Sequence, residues 1–469
     1  MPAVQSNTSG ETQSTSMLEE TLASFTSLAD PLAIDDALLV LEHALQGRTC
    51  RVLELLLKEQ PYSALVQDPA VSEALMQALL SPSLPVHALG LSQVDKVASE
   101  DVTVLRSMLA SDVFKAVVDG IGFESISIAE RSKQTLLKLR MMEILAEMAA
   151  QSQASLVALE QSGLLEPLKN GLQSTDILTR FNIIEILAEF GATTSGSDFL
   201  DHSGILSRMS TVVKEEVDQD PLGVSAIVKL YGKLGASEHA DFVTLDMKHQ
   251  ILSQLERLMI GDEDYVPSES LKVEAMATLG LIGGNIQNVE WVAQSQCGAS
   301  FVNLLPSLPR DSKIAWYHSL AQILACSPDP SPATDKIVSD FYSQLEGPGQ
   351  SPFISRLLAS AKSQTVDLAM SALSVMIPLA RYPFGVQRMG SQRDVISFLL
   401  DRNSELSHSE KVAKHEVIEA MLKTSQETKT ILGIDLLTAD QVSRLDLNRR
   451  QGPFYQRATA TVSIQDIAA

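Results

Sequence analysis

The sequence predicts an all-α chain, a right-handed α-solenoid of stacked helical repeats. Three observations carry that prediction. Apolar residues recur at i, i+3, i+4 spacing from Met17 onward, the signature of amphipathic helices. Aromatic residues are only 5% of a chain that is 45% hydrophobic, so the core rests on Leu, Ile, Val and Ala, a balance that favours packed helices over sheets. Similar helix–turn–helix segments return at steps of roughly 40–50 residues, the period of armadillo and HEAT repeats.

One segment shows the unit. In "SGLLEPLKNGLQSTDILTRFNIIEILAEFG" (162–191), Pro167 fits only the first turn of a helix, where a missing N–H costs little. That helix therefore starts no earlier than about Leu164, with Leu164, Leu165, Leu168 and Leu172 as its apolar face. Gly171 loosens its end, and Asp176 is a suitable N-cap for the next helix. There Ile177, Phe181, Ile184, Leu187 and Ala188 share one face. The pair makes an αα-hairpin that needs a neighbour on each side. "AVSEALMQALLSPSLPVHALGLSQVDKVA" (70–98) has the same layout, with Leu75 and Leu79 matching Leu168 and Leu172, and Leu91 and Val94 matching Ile184 and Leu187. Looser copies follow to about residue 424. Stacked repeats of this kind share one continuous core.

The expected organisation is a disordered Ser/Thr-rich start over 1–16, a repeat solenoid over 17–450 and a tail over 451–469. The segments "VKEEVDQDP" (213–221) and "IGDEDYVPSES" (260–270) are expected as solvated loops, and the Pro/Gly-rich "CSPDPSPATD" (326–335), with "EGPGQSP" (346–352) after it, as a long surface loop, with a hinge or a domain boundary as the alternatives. The polar N-terminus lacks the pattern of a signal peptide, so the Asn7-Thr8-Ser9 sequon should stay unmodified. No window reaches the length of a membrane span. Cys50, Cys297 and Cys326 are far apart and odd in number, which fits a reducing compartment and buried apolar roles. The expectation is a chain of the cytoplasm, with the nucleus left open, monomeric when free and acting on no membrane.

A formal charge of −22 opposes phosphate backbones and argues against a nucleic-acid partner. No catalytic signature survives inspection. There is no P-loop, "GLIGG" (280–284) lacks dinucleotide-binding spacing, and "HEVIE" (415–419) lacks the second histidine of a zinc helix. The remaining histidines are scattered, so no metal and no cofactor is expected, and no enzyme. Trp291 and the Trp316-Tyr317 pair are expected as packing between repeats, with an interface anchor as the alternative. What remains is a long surface that grips another protein. Residues beside the core stripe of the second helices are its candidates: Gln134, Asn182, Glu185, Glu189 and Lys272.

The later repeats add a resemblance. "DVISFLLDRNSELSHSEKVAKHEVIEAMLKT" (394–424) resembles the last repeat of the proteasome non-ATPase regulatory subunit 5 family. The shared features are Asp401-Arg402 after the first helix, the Lys-containing link, and Lys414, Glu416, Ile418 and Ala420-Met421-Leu422 in the second helix. "GPFYQRATATVSIQD" (452–466) resembles the family's closing segment, and "IGFESISIAERSKQTLLKL" (121–139) is similar upstream. The resemblance implies an armadillo/HEAT-like assembly chaperone of the proteasome regulatory-particle base. Such a protein binds the C-terminal domain of one ATPase subunit together with neighbouring base subunits, and delays docking on the core particle. Two other readings stand beside it. One is a generic armadillo scaffold or transport adaptor, although the two tryptophans form no regular groove array. The other is an enzyme with a site hidden across repeats.

Overall fold

The computed structural model describes residues 49–51, 53, 54, 57, 69–79, 81, 83–96, 128–174, 176–346, 351–402 and 407–455. The Ser/Thr-rich start over 1–16 lies outside them, as do residues 456–469 of the tail. The chain forms two compact units, Met1–Leu165 and Glu166–Ala469. Every element described is helical.

In the first unit α1 (Pro69–Leu79) packs on α2 (Leu84–Asp95), and α3 (Ile128–Ala150) on α4 (Gln153–Gln161). Leu75, Leu79, Leu91 and Val94 are buried, as their match to the later hairpin predicts. Ser152 caps α4 by accepting the Ser155 N–H, and Leu156 and Leu159 then point into the core.

The second unit opens with α5 (Glu166–Gly171) and α6 (Ile177–Gly191). Pro167 sits in the first turn of α5, and Asp176 caps α6 by accepting the N–H groups of Leu178 and Thr179. Leu168, Leu172, Ile184, Leu187 and Ala188 are buried, but Ile177 is 51% exposed. At the first turn of α6 nothing covers that face. Ile183, which the periodicity leaves out, takes a core position instead.

From there the chain repeats in threes: α7 (Thr194–His202), α8 (Ile205–Glu215) and α9 (Pro221–Ala236); α10 (Phe242–His249), α11 (Ile251–Ile260) and α12 (Glu269–Gly283); α13 (Val289–Gln294), α14 (Gln296–Leu304) and α15 (Arg310–Leu324); α16 (Pro332–Gln344), α17 (Phe353–Ala361) and α18 (Val366–Leu379); α19 (Pro383–Ser391), α20 (Arg393–Leu400) and α21 (His408–Leu432). Helix α22 (Ala439–Gln451) follows. The hairpin expected from sequence is therefore a triplet, an armadillo-like repeat. The extra first helix is too short and too polar to show a period: "TSGSDFLDH" and "VEWVAQ" resemble loops.

The long third helices form the spine. Helices α6, α9, α12, α15, α18 and α21 pack each on the next, and they run parallel. Arg180 near the start of α6 pairs with Asp220 at the start of α9 at 2.6 Å, and Glu189 near the end of α6 pairs with Lys233 near the end of α9. The unpaired carbonyls at their C-terminal ends are taken by side chains of the next repeat. Ser237 Oγ donates to Ala192 O at 2.6 Å, Asn288 Nδ2 to Gly235 O at 2.8 Å, Tyr382 Oη to Leu324 O at 2.6 Å and Thr424 Oγ1 to Ala380 O at 2.8 Å. An all-α solenoid results.

Trp316 is fully buried. It stacks on Phe301 with centroids 4.9 Å apart, and its Nε1 donates to Phe301 O at 2.8 Å. Trp291 donates to Asp246 Oδ2 at 2.8 Å. Trp316 is thus a packing residue, and half-buried Trp291 is tied to α10 through Asp246. All three cysteines are buried and free.

Two outcomes test the spine. A Cβ on Gly280 would stand 2.7 Å from the Ser319 Cα, so Gly280→Ala should cost about 1–3 kcal/mol in urea unfolding despite its better helix propensity. Leu187→Ala empties a fully buried site and should cost about 2–5 kcal/mol. Hydrogen exchange should rise first in the helices packed on α6, and a uniform rise would contradict the repeat-wise picture.

Candidate protein-binding surface

Each spine helix buries one side and leaves a stripe on the other. On α6 the stripe is Leu178, Asn182, Glu185 and Glu189, all within one narrow arc at i, i+3, i+4 spacing. Leu178 is 71% exposed. Asn182 is half-buried, and its Nδ2 donates to Leu178 O at 2.7 Å, so the amide is already engaged. Glu185 is exposed, and Glu189 is exposed and paired with Lys233.

On α9 the corresponding stripe is Leu222, Lys229 and Lys233, offset from α6 by the 44 residues that separate Glu189 from Lys233. Lys229 reaches Glu274 of α12 at 3.7 Å. Glutamate, lysine and glutamate therefore alternate across three neighbouring helices. Further along, the stripe mixes apolar with polar groups: Ala277 and Leu281 on α12, Ile314, Ala315, His318 and Gln322 on α15, and Met370, Ser374 and Ile377 on α18, each exposed or half-buried. On α21 it becomes charged again, with Glu416, Glu419 and Lys423 exposed. A surface that mixes apolar and charged groups is in keeping with the composition of protein–protein interfaces.

The structure brings Asn182, Glu185 and Glu189 together on this surface. Lys272 lies elsewhere. It is two residues from Glu274 and hence on the opposite face of α12, where Ala275 and Met276 beside it are fully buried. Its Nζ lies 3.3 Å from Glu269 Oε2, and Glu269 also accepts from Ser312 of α15. The Ser312 hydroxyl, with Lys272 adding to it, holds the Glu269 carboxyl below the usual carboxylate range. Lys272 thus steadies a joint between two spine helices. Gln134 belongs to α3 of the first unit, and its side chain is outside the described ones. Sequence reasoning missed Lys229, Lys233 and Glu274. The 44-residue step from Glu185 and Glu189 would have found the two lysines.

Among the described residues no group of His, Cys, Asp or Glu is placed to hold a metal ion, and no helix is long and apolar enough to cross a membrane.

With this geometry in place, the chain can be set beside known proteins. The profile described as "Proteasome non-ATPase 26S subunit" matches residues 132–469. The chain belongs to that family. The match covers the whole second unit and the last helices of the first. Human 26S proteasome non-ATPase regulatory subunit 5 is 22% identical over 433 residues, 83% of this chain and 82% of that protein. The bovine protein of the same name is 22% identical over 435 residues, with the same coverage. Among solved structures, an engineered protein aligns with a TM-score of 0.40 at 14% identity, covering 92% of this chain and 99% of that one. Family membership indicates a proteasome-related role, and the helices form an all-α solenoid.

The charged pairs on this surface are solvent-exposed, so their net contribution to stability is small. Lys233→Ala, Glu185→Lys and Glu189→Lys should each change unfolding stability by less than about 1 kcal/mol, measured by urea titration.

Proposed function

We propose that this chain is an assembly chaperone of the proteasome regulatory-particle base. In this reading the spine surface holds the C-terminal domain of an ATPase subunit, and the bound chaperone delays docking on the core particle. The observation that carries the reading is the family match over residues 132–469, joined by relatives named as a proteasome regulatory subunit over 83% of the chain. The surface supports it. Alternating Glu185, Glu189, Lys229, Lys233 and Glu274 suit a partner with charges of both signs, and Leu281, Met370 and Ile377 supply apolar contact. The role is one of binding and release, with no chemistry asked of the chain.

The test is recovery of partners from native extract with the full-length chain as bait, read by mass spectrometry. Proteasomal ATPase subunits should come down with base scaffold subunits and without the core particle. The double variant Glu185→Lys, Glu189→Lys should lose about tenfold or more of that recovery while keeping wild-type stability. Recovery unchanged in the double variant would remove these residues from the interface. Unrelated partners in place of proteasome subunits would favour a general armadillo scaffold.

A further inference from the structure

Three sequence motifs converge at the C-terminal end of the second unit. Asp401-Arg402 follows α20; Lys411, Lys414 and His415 lie on the first turns of α21; Gly452–Tyr455 follow α22. Arg402 ties them together. Its Nη1 donates to Gly452 O at 2.9 Å and Tyr455 O at 3.2 Å, and its Nη2 to Asn448 O at 2.9 Å. Its guanidinium lies 5.4 Å from the Tyr455 ring. His408 stacks on Phe454 with centroids 4.3 Å apart. The fastened turn closes one wall of a cleft of about 100 Å³, whose polar lining includes Arg402, Lys411, Lys414 and His415.

The cleft gathers cations with little to balance them. Lys414 is buried. Its Nζ donates to Asp401 O at 2.7 Å and lies 4.6 Å from the Phe398 ring, and neither partner carries a full negative charge. Of the nearby described carboxylates, Glu410 is turned to the Ser407 N–H at 2.8 Å, and among the described residues Asp401 is the only acid lining the cleft. Burial above all lowers the Lys414 ammonium to a pKa of about 8, the positive charges of Arg402 and Lys411 push the same way, and the carboxylates of Asp401 and Glu410 oppose them. His415 Nε2 lies 3.4 Å from Glu419, while its Nδ1 is buried without a hydrogen-bond partner.

Like charges crowded in a half-enclosed space repel unless an anion enters. In a chain of net charge −22, a cleft of the opposite sign does not follow from composition. We propose that this cleft is a binding site for a single oxyanion, a phosphate or carboxylate group, held by Lys411, Lys414 and His415. Arg402 is a positioning residue. Its donors are spent on three carbonyls, and it contributes positive potential and the wall. The volume admits one small oxyanion. The site stands independently of the proteasome reading, because it rests on this cleft alone.

The experiment titrates the full-length chain with inorganic phosphate, followed by ³¹P line broadening, and separately with acetate, followed by saturation transfer. Chloride holds the ionic strength constant. At about pH 7 at least one of the two should bind saturably, and binding should weaken as the pH rises through about 8, where Lys414 discharges. Lys411→Gln should weaken it about tenfold or more, with an unchanged melting temperature in chloride showing the fold intact. His415→Gln is the second variant and should weaken it as well. Saturable binding of phosphate alone assigns the site to phosphate groups, and of acetate alone to carboxylates. Failure of both anions to saturate would overturn the proposal. So would saturable binding that both variants leave at wild-type strength.

Discussion

Close approach of parallel third helices is the constraint on which the second unit is built. An amphipathic helix of about fifteen residues gains little alone, because its ordering cost is met only when its apolar face is covered. Here each of α9, α12, α15 and α18 is covered on two sides by the neighbours before and after it. The approach is close enough that Gly235 and Gly280 stand against Ile282 and Ser319, where a Cβ would meet atoms at 2.4 and 2.7 Å. The same approach lets a side chain of one repeat reach the end carbonyls of the helix before it. Thr278, Asn285 and Asn288 all donate to the backbone of α9. These buried bonds fix register, since a slip would leave donors and carbonyls unpaired away from water.

Covering one face of every spine helix leaves the opposite face free of structural duty. Its residues form salt bridges, but exposed pairs such as Glu189–Lys233 and Lys229–Glu274 add little stability. They can therefore vary in sequence while the fold persists. That separation explains how relatives at 22% identity can share a family. Arg180–Asp220 is a different kind of pair. The two side chains are only 19% and 9% exposed, and Asp220 Oδ1 also accepts the Gly223 N–H that begins α9. Breaking it would strand a buried charge, so it belongs to the scaffold and not to the surface.

At α21 the packing changes, because among the described residues no further spine helix packs on it. Part of the answer is α22, which packs on α21 and α20. Another part is Arg402, which gathers the carbonyls of Asn448, Gly452 and Tyr455. Fastening the turn in this way brings Lys414 and its cationic neighbours into one cleft, so the same contacts also concentrate charge.

The sequence by itself determined the helices, their caps and most of the core. Asp176 as a cap, Pro167 in a first turn, and Leu168, Leu187 and Val94 as buried residues all follow from local chemistry and a period of 3.6. The short first helices α7, α10 and α13 were not legible, because six to nine residues of mixed polarity carry no period. Which side of a helix faces the free surface was legible only where a stripe was unambiguous. Asn182, Glu185 and Glu189 share one stripe of α6, whereas Lys272, two residues from Glu274, turns to the other face of α12. Pairings between repeats were decided by tertiary structure alone. Lys233 meets Glu189 across 44 residues, Tyr382 meets Leu324 across 58, and Arg402 meets Tyr455 across 53. Local propensity acts over a few residues, and only packing brings such distant groups within hydrogen-bond reach.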